Sequence, residues 1–360
     1  MKTSSVLYHL VTAVMLLFPL HLMAQGGNQP VKQLKVLQFN IWQEGTEVKG
    51  GYDAIIDEIV RSDADLIALS EVRNYWFRNL HTRLVNSLKE KGYQYYGEKS
   101  EDTGLLSRYP IIEQTALYPV SFNHGSITKA KIKVDGHTVA FYSAHLDWKN
   151  CSLYLPRGYH SSNWRQLDAP VVNIEDILKD NKKSKRDEAI RAFITDANKE
   201  RSEGNLVILG GDFNEPSHLD WVSTTRNLYD HQGLVIQWPT TLSLEAAGFQ
   251  DAYREQYPDP VSHPGFTFPS DNPAVKVSKL AWAPKADERD RIDFIFYDPS
   301  QNLSLKDIVI IGPSRSIVRN QRVEEVSDDP FVAPVNIWPT DHKALLATFA
   351  MPEDITAEKP

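Results

Sequence analysis

The sequence predicts an α/β protein in which mixed sheets carry helices on their outer faces. Short apolar runs rich in Val, Ile, Leu and aromatic residues indicate largely buried strands at 34–41, 66–69, 138–144, 206–209, 292–297 and 344–349. Helical patterns separate some of these runs, whereas others are linked with no room for a helix. Because parallel strands need a long crossover and antiparallel strands need only a turn, the combination indicates mixed sheets.

Two helices and one hairpin are the clearest elements between the strands. The first helix is indicated by apolar residues at helical spacing, namely Ile55, Ile56, Ile59 and Val60. The second has the same spacing at Ile190, Phe193, Ile194 and Ala197, after a candidate N-cap at Ser184. Asp135-Gly136 is typical of a two-residue hairpin turn, so we expect antiparallel strands on either side of it.

Three long stretches, at 148–183, 257–290 and 312–340, have no regular pattern, and the second is rich in proline. Long loops in a compact domain are usually either functional or disordered. The aromatic residues in these stretches favour ordered loops.

The first 24 residues are typical of an export signal. The apolar run at 11–22 is short for a bilayer span, and Ala24 followed by Gln25 suits cleavage. An uncleaved membrane anchor is the alternative. We expect a secreted or periplasmic protein with a signal peptide at 1–24, a short linker at 25–33, one folded domain at 34–351 and a tail at 352–360.

Composition restricts the function further. The chain of 360 residues is 41% hydrophobic and 24% charged, as expected of a folded protein. Its only cysteine, Cys151, is far from the cleavage point, which excludes lipid anchoring there, and it has no cysteine partner for an internal disulfide. Without the leader, 38 Lys and Arg oppose 47 Asp and Glu, because Lys2 is the leader's only such charge. The resulting charge of minus 9 weighs against a protein that depends on attraction to polyanions.

Polar residues at the ends of the predicted strands are the candidate functional groups. They are Asn40, Glu71, His145, Asp212, Asn214, Asp341 and His342. Strand ends on a rigid sheet often display catalytic groups, although single polar residues there more often cap turns. The string Gly210-Gly211-Asp212-Phe213-Asn214 is the sharpest signal. Its glycines allow close approach to a ligand, and its Asp and Asn would share one side of an extended segment.

Seven short motifs follow one another between residues 34 and 349. They are Gln38-Phe39-Asn40-Ile41, Leu69-Ser70-Glu71-Val72, Gly104-Leu105-Leu106-Ser107-Arg108-Tyr109-Pro110, Ser143-Ala144-His145-Leu146, Gly211-Asp212-Phe213-Asn214, Arg291-Ile292-Asp293-Phe294 and Thr340-Asp341-His342. In this order they resemble the endonuclease/exonuclease/phosphatase superfamily, which includes pancreatic deoxyribonuclease, abasic-site endonucleases, neutral sphingomyelinases and inositol polyphosphate phosphatases. The resemblance implies a four-layered sandwich of two mixed sheets packed face to face, with helices on both outer faces.

The same resemblance implies a divalent-metal site. Glu71 would be the principal ligand of Mg²⁺ or Mn²⁺, Asn40 would contact the metal or the phosphate, and Asp341 would complete the acidic cluster. Oxygen ligands suit these hard cations. We therefore expect a metal-dependent hydrolase of ester bonds.

The catalytic roles are also implied by the resemblance. Asp212 would activate the attacking water, and Asn214 would orient that water or the phosphate. Asp293 would orient His342, which would donate to the phosphoryl group, and His145 would contact the phosphate from the opposite side. A cation and histidine donors would stabilise the charge that in-line attack builds on the phosphoryl oxygens.

The substrate is expected to differ from relative to relative through the loops. In the stretch at 148–183, Arg157 and Arg165 would bind a second phosphate or an anionic head group, and Tyr159 and Trp164 would bind a base, sugar or lipid. The alternative is a loop that packs on itself. We expect a monomer without a membrane span after signal cleavage, acting on a phosphodiester or phosphomonoester of a nucleic acid, lipid head group or small molecule.

Three other functions are considered. A nuclease acting on DNA or RNA is the main alternative, although no basic stripe supports it. A glycosidase would need two carboxylates but not the Asp-Phe-Asn and Asp-His motifs, and it would survive chelation. A non-catalytic binding module should have lost part of the acidic set, and no member is missing.

Overall fold

The computed structural model describes residues 32–120 and 125–353. The predicted signal peptide at 1–24, nearly all of the linker and most of the tail lie outside the described residues. Within the described ranges, no helix is both long enough and apolar enough to cross a membrane.

The described chain folds into fourteen strands and six α-helices. The strands are β1 Gln33–Asn40, β2 Leu66–Val72, β3 Asp102–Ser107, β4 Ile111–Tyr118, β5 Gly125–Val134, β6 His137–Leu146, β7 Leu206–Asp212, β8 Gln250–Asp251, β9 Asp293–Tyr297, β10 Ser304–Ile311, β11 Arg315–Val318, β12 Gln321–Glu324, β13 Phe331–Val332 and β14 Ala344–Ala350. The helices are α1 Gly51–Ser62, α2 Leu80–Glu90, α3 Ile174–Asn181, α4 Arg186–Ser202, α5 Pro239–Ala246 and α6 Ala252–Gln256.

Twelve of these strands form two six-stranded mixed sheets. The first sheet has the order β13-β10-β14-β1-β2-β3, and the second has the order β4-β5-β6-β7-β9-β8. In each sheet one central pair is parallel, β1 with β2 and β6 with β7. Those parallel pairs are joined through α1 and through α3 and α4, whereas the antiparallel pairs β5 and β6 need only the turn Asp135-Gly136.

Alternation along the strands divides the apolar residues between two faces. In β1, Val36 packs into the core between the sheets, and its neighbour Leu37 packs under α1 and α2. In β7, Ile208 faces the core between the sheets, and Leu209 faces α4 and α5. Because successive side chains of a strand point to opposite faces, a strand buried on both faces must be apolar throughout. The result is helix, sheet, sheet and helix, the predicted four-layered sandwich.

Several local features differ from the sequence-based expectations. The stretch at 148–183 contains α3, and the stretch at 312–340 contains the two-stranded sheet of β11 and β12, so neither is irregular throughout. Lys185, not Ser184, is the N-cap of α4, because its backbone N–H donates to Asp147 and directs the chain into the helix one residue later. The hairpin turn at Asp135-Gly136 is confirmed, with both residues at positive φ as that turn requires.

Candidate active site

The candidate groups converge because their strands are neighbours in register. His145 on β6 lies opposite Asp212 on β7, and Asp212 lies opposite Asp293 on β9. In the other sheet, Asn40 ends β1 opposite Ser70 on β2. The two sheets meet at this edge, since the Asn40 Nδ2 atom donates to Asp212 Oδ2 at 2.9 Å. Residues that are 172 positions apart in sequence therefore form one cluster.

The glycines before Asp212 are needed for packing and not for access to a ligand. A Cβ at Gly211 would lie 2.3 Å from the backbone oxygen of Ala144 on the neighbouring strand. A Cβ at Gly210 would lie 3.0 Å from the Cβ of Ala68 in the facing sheet. The expectation that these glycines let the backbone approach a ligand closely is wrong, because a neighbouring strand and the facing sheet already fill that space.

Asp212 is the last residue of β7, and Asn214 lies beyond the strand. Asn214 has a left-handed φ of 50°, and its backbone N–H donates to Asp212 Oδ1 at 2.9 Å. The side-chain amide of Asn214 donates to the backbone oxygen of Leu146 at 3.1 Å. The segment is thus a turn closed by Asp212, and not the extended stretch in which alternation would align the two side chains. Phe213 anchors this turn by packing against Phe294 at a ring separation of 4.8 Å.

Glu71 is re-aimed by a bulge in β2. The register between β2 and β3 shifts between Ser70 and Val72, and Glu71 has a φ of 70°. A bulge of this kind turns one side chain out of the strand's regular alternation. The Glu71 carboxylate accepts from the backbone N–H of Gln43 at 3.1 Å and remains partly exposed.

His342 is held by a buried carboxylate. Its Nδ1 lies 2.9 Å from Asp293 Oδ2, and the other oxygen of Asp293 accepts from Gln38 Nε2 at 2.8 Å. Burial alone would lower the pKa of His342, but the neighbouring carboxylates of Asp293 and Asp212 outweigh it and raise the pKa to about 10. The ring is therefore a cation whose Nε2 lies 3.8 Å from Asp212 Oδ2.

His145 has a matching arrangement on the opposite side of Asp212. Its Nδ1 lies 2.8 Å from Asp102 Oδ1, and its Nε2 lies 3.9 Å from Asp212 Oδ2. Burial opposes protonation, yet Asp102 raises the pKa of His145 to about 9. Asp102 also pairs with Arg73. Burial alone would raise the pKa of Asp102, but the charges of His145 and Arg73 outweigh it and lower the pKa to about 2.

Three residues of the cluster were missed from the sequence. They are Gln38, Arg73 and Asp102. Arg73 stands two positions after Glu71, and this spacing could have indicated from the sequence that its side chain lies near that of Glu71. Asp102 begins β3 immediately before the Gly104 motif, and nothing in its local pattern connects it to His145. Only the pairing of the sheets brings the two together.

The acidic set suits a divalent cation. Burial raises the pKa of Asp341 to about 7, and the nearby charges of Glu71 and Asp212 contribute, while His342 opposes the change. Burial and the charge of Asp293 raise the pKa of Asp212 to about 6. Carboxylates that are crowded in this way are relieved by a bound cation, and their oxygens are the donors that Mg²⁺ and Mn²⁺ prefer.

The individual ligands differ in how well they suit the metal. Glu71 and Asp341 have carboxylates at the cavity. Asn40 accepts from the backbone N–H of Trp42 with its oxygen and directs its NH₂ group at Asp212 and Glu71. In this orientation Asn40 is a donor to the carboxylates, and its contact with the metal or the phosphate stays a prediction. Asp212, Asp293 and His342 also have one ligating atom each within 4.8 Å of the others, but Asp293 and His342 hydrogen-bond to each other.

The cluster forms one side of a cavity of about 230 Å³. The polar side consists of Glu71, Arg73, His145, Asp212, Asn214, Asp341 and His342. Aromatic side chains form much of the remainder, namely Trp42, Trp148, Tyr154, Trp164, Phe268 and Trp282. Deep in the same cavity lies Cys151, whose thiol has a pKa that burial raises to about 12, as expected of an inert cysteine.

Of the four predicted substrate-binding residues, only Trp164 lines this cavity. Arg157 is buried elsewhere, pairing with Asp290 at 2.6 Å and donating to four backbone oxygens. The hydroxyl of Tyr159 accepts from the backbone N–H of Lys285, and Arg165 is exposed outside the cavity. For Arg157 and Tyr159 the alternative of internal loop packing is the one that the structure favours, because their polar atoms are already bonded.

Comparisons with known proteins agree with this geometry. The profile of the Endonuclease/Exonuclease/phosphatase family matches residues 37–342. An uncharacterized protein of Caenorhabditis elegans is 29% identical over 324 residues, which cover 88% of this chain and 91% of that protein. Among solved structures, a humanized TDP2 from D. rerio has a TM-score of 0.50 at 15% identity, covering 89% of this chain and 99% of that one. TDP2 from C. elegans has the same TM-score and identity, covering 90% of this chain and 77% of that one. Both similarities support the fold alone.

Proposed function

The chain belongs to the endonuclease/exonuclease/phosphatase family, and on that premise we propose that it is an exported phosphoesterase that depends on Mg²⁺ or Mn²⁺. The reaction is hydrolysis of a phosphodiester or phosphomonoester by in-line attack of a water molecule that Asp212 activates. The proposal of export rests on the sequence of the first 24 residues. The mass of the secreted protein tests it, since we expect a chain that starts near Gln25.

One observation carries the proposal of phosphoester chemistry. Two imidazolium rings, those of His342 and His145, are each paired with their own buried carboxylate and have Nε2 3.8 and 3.9 Å from the same oxygen of Asp212. Two such N–H donors can contact two oxygens of one phosphoryl group. Attack at phosphorus increases the negative charge on those oxygens, so donors that are already charged and fixed stabilise the transition state more than the ground state.

Asp212 is suited to accept the proton of the attacking water. Its two oxygens accept from the Asn214 backbone N–H and from Asn40 Nδ2, which fix the plane of the carboxylate. Burial raises its pKa to about 6, so it is ionised at neutral pH yet more basic than an exposed aspartate. The proton on His342 Nε2 or His145 Nε2 can in turn neutralise the departing oxygen.

The metal would be held by Glu71 and Asp341, whose carboxylates lie on the cavity wall. When bound there, the cation supplies positive charge to the phosphoryl oxygens and to the leaving oxygen. Arg73, which bridges Glu71 and Asp102, provides a further fixed positive charge at the same place. The nuclease alternative has no independent support, since the chain is acidic.

Hydrolysis of bis(4-nitrophenyl) phosphate tests the proposal. We expect turnover with Mg²⁺ or Mn²⁺, loss of turnover in EDTA, and recovery when the metal is restored. Asp212→Asn leaves one oxygen to accept from either the Asn214 backbone N–H or Asn40 Nδ2, and it removes the proton acceptor. It should lower kcat by about two orders of magnitude or more, as loss of a general base does. A folded, metal-replete protein that cleaves neither diesters nor monoesters would support the binding-module alternative instead.

A further inference from the structure

Three tryptophans in contact with one another line the cavity that Asp212 also lines. Trp148 and Trp164 stack at a ring separation of 5.5 Å and an angle of 17°, and Trp282 contacts Trp164 at 4.0 Å. They belong to two separate loops, at 148–183 and 257–290, which the sequence alone does not connect. We call these three residues the tryptophan wall. Trp282 is tilted by 58° to Trp164, so the three indoles give the cavity an angled aromatic surface against which a planar ring can pack.

The tryptophan wall lies within reach of a group attached to a phosphate in the catalytic cluster. Trp148 follows β6 two residues after Leu146, and β6 also carries His145. Phe268 also lines the cavity, and its ring is 4.9 Å from that of His342. Because all of these side chains line one cavity of about 230 Å³, there is room beside the phosphate for a small ring but not for a large polar assembly.

Charge at the tryptophan wall argues against a second phosphate there. The cations that line the cavity are Arg73, His145 and His342, and all three are bonded within the catalytic cluster. Glu288 accepts from the backbone N–H groups of Trp282 and Ala283, so its carboxylate is occupied with holding the loop. Lys149 Nζ lies 5.6 Å from the centre of the Trp148 ring, but Lys149 does not line the cavity. A second phosphate inside the cavity would therefore meet aromatic rings and a buried carboxyl group.

We propose that the alcohol arm of the substrate ester carries a planar aromatic ring that stacks on the tryptophan wall. The inference rests on the proposed phosphoesterase function and narrows its substrate class to esters with a single phosphate next to such a ring. A nucleobase and a phenolic ring share this chemistry. Substrates with several phosphates on an aliphatic ring, such as an inositol polyphosphate, do not fit.

Calorimetric binding of non-hydrolysed ligands to the full chain with Mg²⁺ tests the inference without turnover. Phenylphosphonate is compared with methylphosphonate for the phenolic source, and adenosine 5′-monophosphate with ribose 5-phosphate for the nucleobase source. The ring-bearing ligand of at least one pair should bind about tenfold tighter or more, as stacking on aromatic side chains typically contributes. The pair that shows the preference identifies the source of the ring.

Trp282→Ala is the diagnostic variant, since Trp282 is 40% exposed and only its backbone N–H, which alanine retains, bonds to Glu288. It should reduce the preference to within about threefold and leave the Kd of the ring-free ligand unchanged. Trp76→Ala is the matched control, because Trp76 is 73% exposed and does not line the cavity, and it should keep the full preference.

Equal affinity within both pairs would overturn the inference, and so would a preference that survives in both Trp282→Ala and Trp148→Ala. These outcomes are separable from failure of the proposed function. A protein that binds the ring-bearing ligand preferentially but hydrolyses no phosphate ester would retain the binding site and lose the proposed reaction. Metal-dependent hydrolysis with no ring preference would support the proposed reaction and overturn the inference about the aromatic ring.

Discussion

The pairing of His342 with Asp293 leads to the most specific mutational prediction. In Asp293→Asn, one oxygen is replaced by an NH₂ group. Gln38 Nε2 donates to Asp293 at 2.8 Å, so with Gln38 in its present orientation the remaining oxygen of asparagine stays on that side. The new NH₂ group then faces His342 Nδ1, which lies 2.9 Å from the present carboxylate. Two donors would meet there, so the ring must give up the Nδ1 proton and become neutral.

The expected loss can be estimated from this rearrangement. A hydrogen bond to a charged group contributes about 1.5 to 3 kcal/mol. The pKa of His342, which Asp293 and Asp212 now raise to about 10, returns toward the ordinary range when the first of these charges is removed. If the imidazolium acts mainly in the transition state, kcat should fall by about 10- to 150-fold, since each 1.36 kcal/mol is a factor of ten.

The assay is kcat for bis(4-nitrophenyl) phosphate at saturating metal, together with thermal unfolding. Asp298→Asn is the matched control, because Asp298 follows the other end of β9, is equally buried and pairs with Arg201. It should lower the melting temperature and leave kcat within about threefold, as a structural ion pair would. Normal turnover in a folded Asp293→Asn protein would refute the role given to the pair.

Three further outcomes are expected. Glu71→Gln should weaken Mn²⁺ binding by about tenfold or more in calorimetry, since the site loses a charged oxygen ligand, and unchanged affinity would remove Glu71 from the metal site. In the metal-free protein, burial and nearby charges raise the pKa of Asp341 to about 7, and a cation binds the deprotonated form. Apparent metal affinity should therefore fall as pH decreases from 7 to 5, by up to about tenfold per pH unit, with proton release on binding. Calorimetry in buffers of different ionisation enthalpy measures the number of protons released. Metal binding without proton release would contradict this assignment. Arg186→Met should cost about 3 to 5 kcal/mol in urea unfolding, because it leaves the fully buried Glu215 without its ion pair, whereas a loss under 1 kcal/mol would show that the pair is dispensable.

The sequence was most informative where local pattern and tertiary position agree. Strands β1, β6 and β7 have apolar residues on both faces because both faces are largely buried, which makes their runs visible. The polar residues that end them, such as Asn40, His145 and Asp212, stand out against those runs. Family resemblance then supplied the two-sheet arrangement that brings the strand ends together, and the four layers of the structure confirm it.

What the sequence could not show depends on contacts between distant segments. Asp102 pairs with His145 through the meeting of β3 and β6, 43 positions apart. Arg157 looked available for a phosphate, yet it closes an ion pair with Asp290, 133 positions away. The segment at Asn214 is a turn and not extended, and α4 has its N-cap one residue after Ser184; backbone N–H bonds to the side chains of Asp212 and Asp147 accompany both differences. Such partners become visible only after the fold has placed them.

The central claim is that Asp212, between two carboxylate-backed histidines, activates water at a metal-assisted phosphoester site. The most direct test is hydrolysis of bis(4-nitrophenyl) phosphate by the wild type and Asp212→Asn, each with Mn²⁺, with EDTA, and with Mn²⁺ restored. In the wild type, we expect turnover that EDTA abolishes and Mn²⁺ restores. In the folded Asp212→Asn variant, we expect kcat to be at least about a hundredfold lower. Turnover that survives chelation, or a variant as active as the wild type, would contradict the central claim.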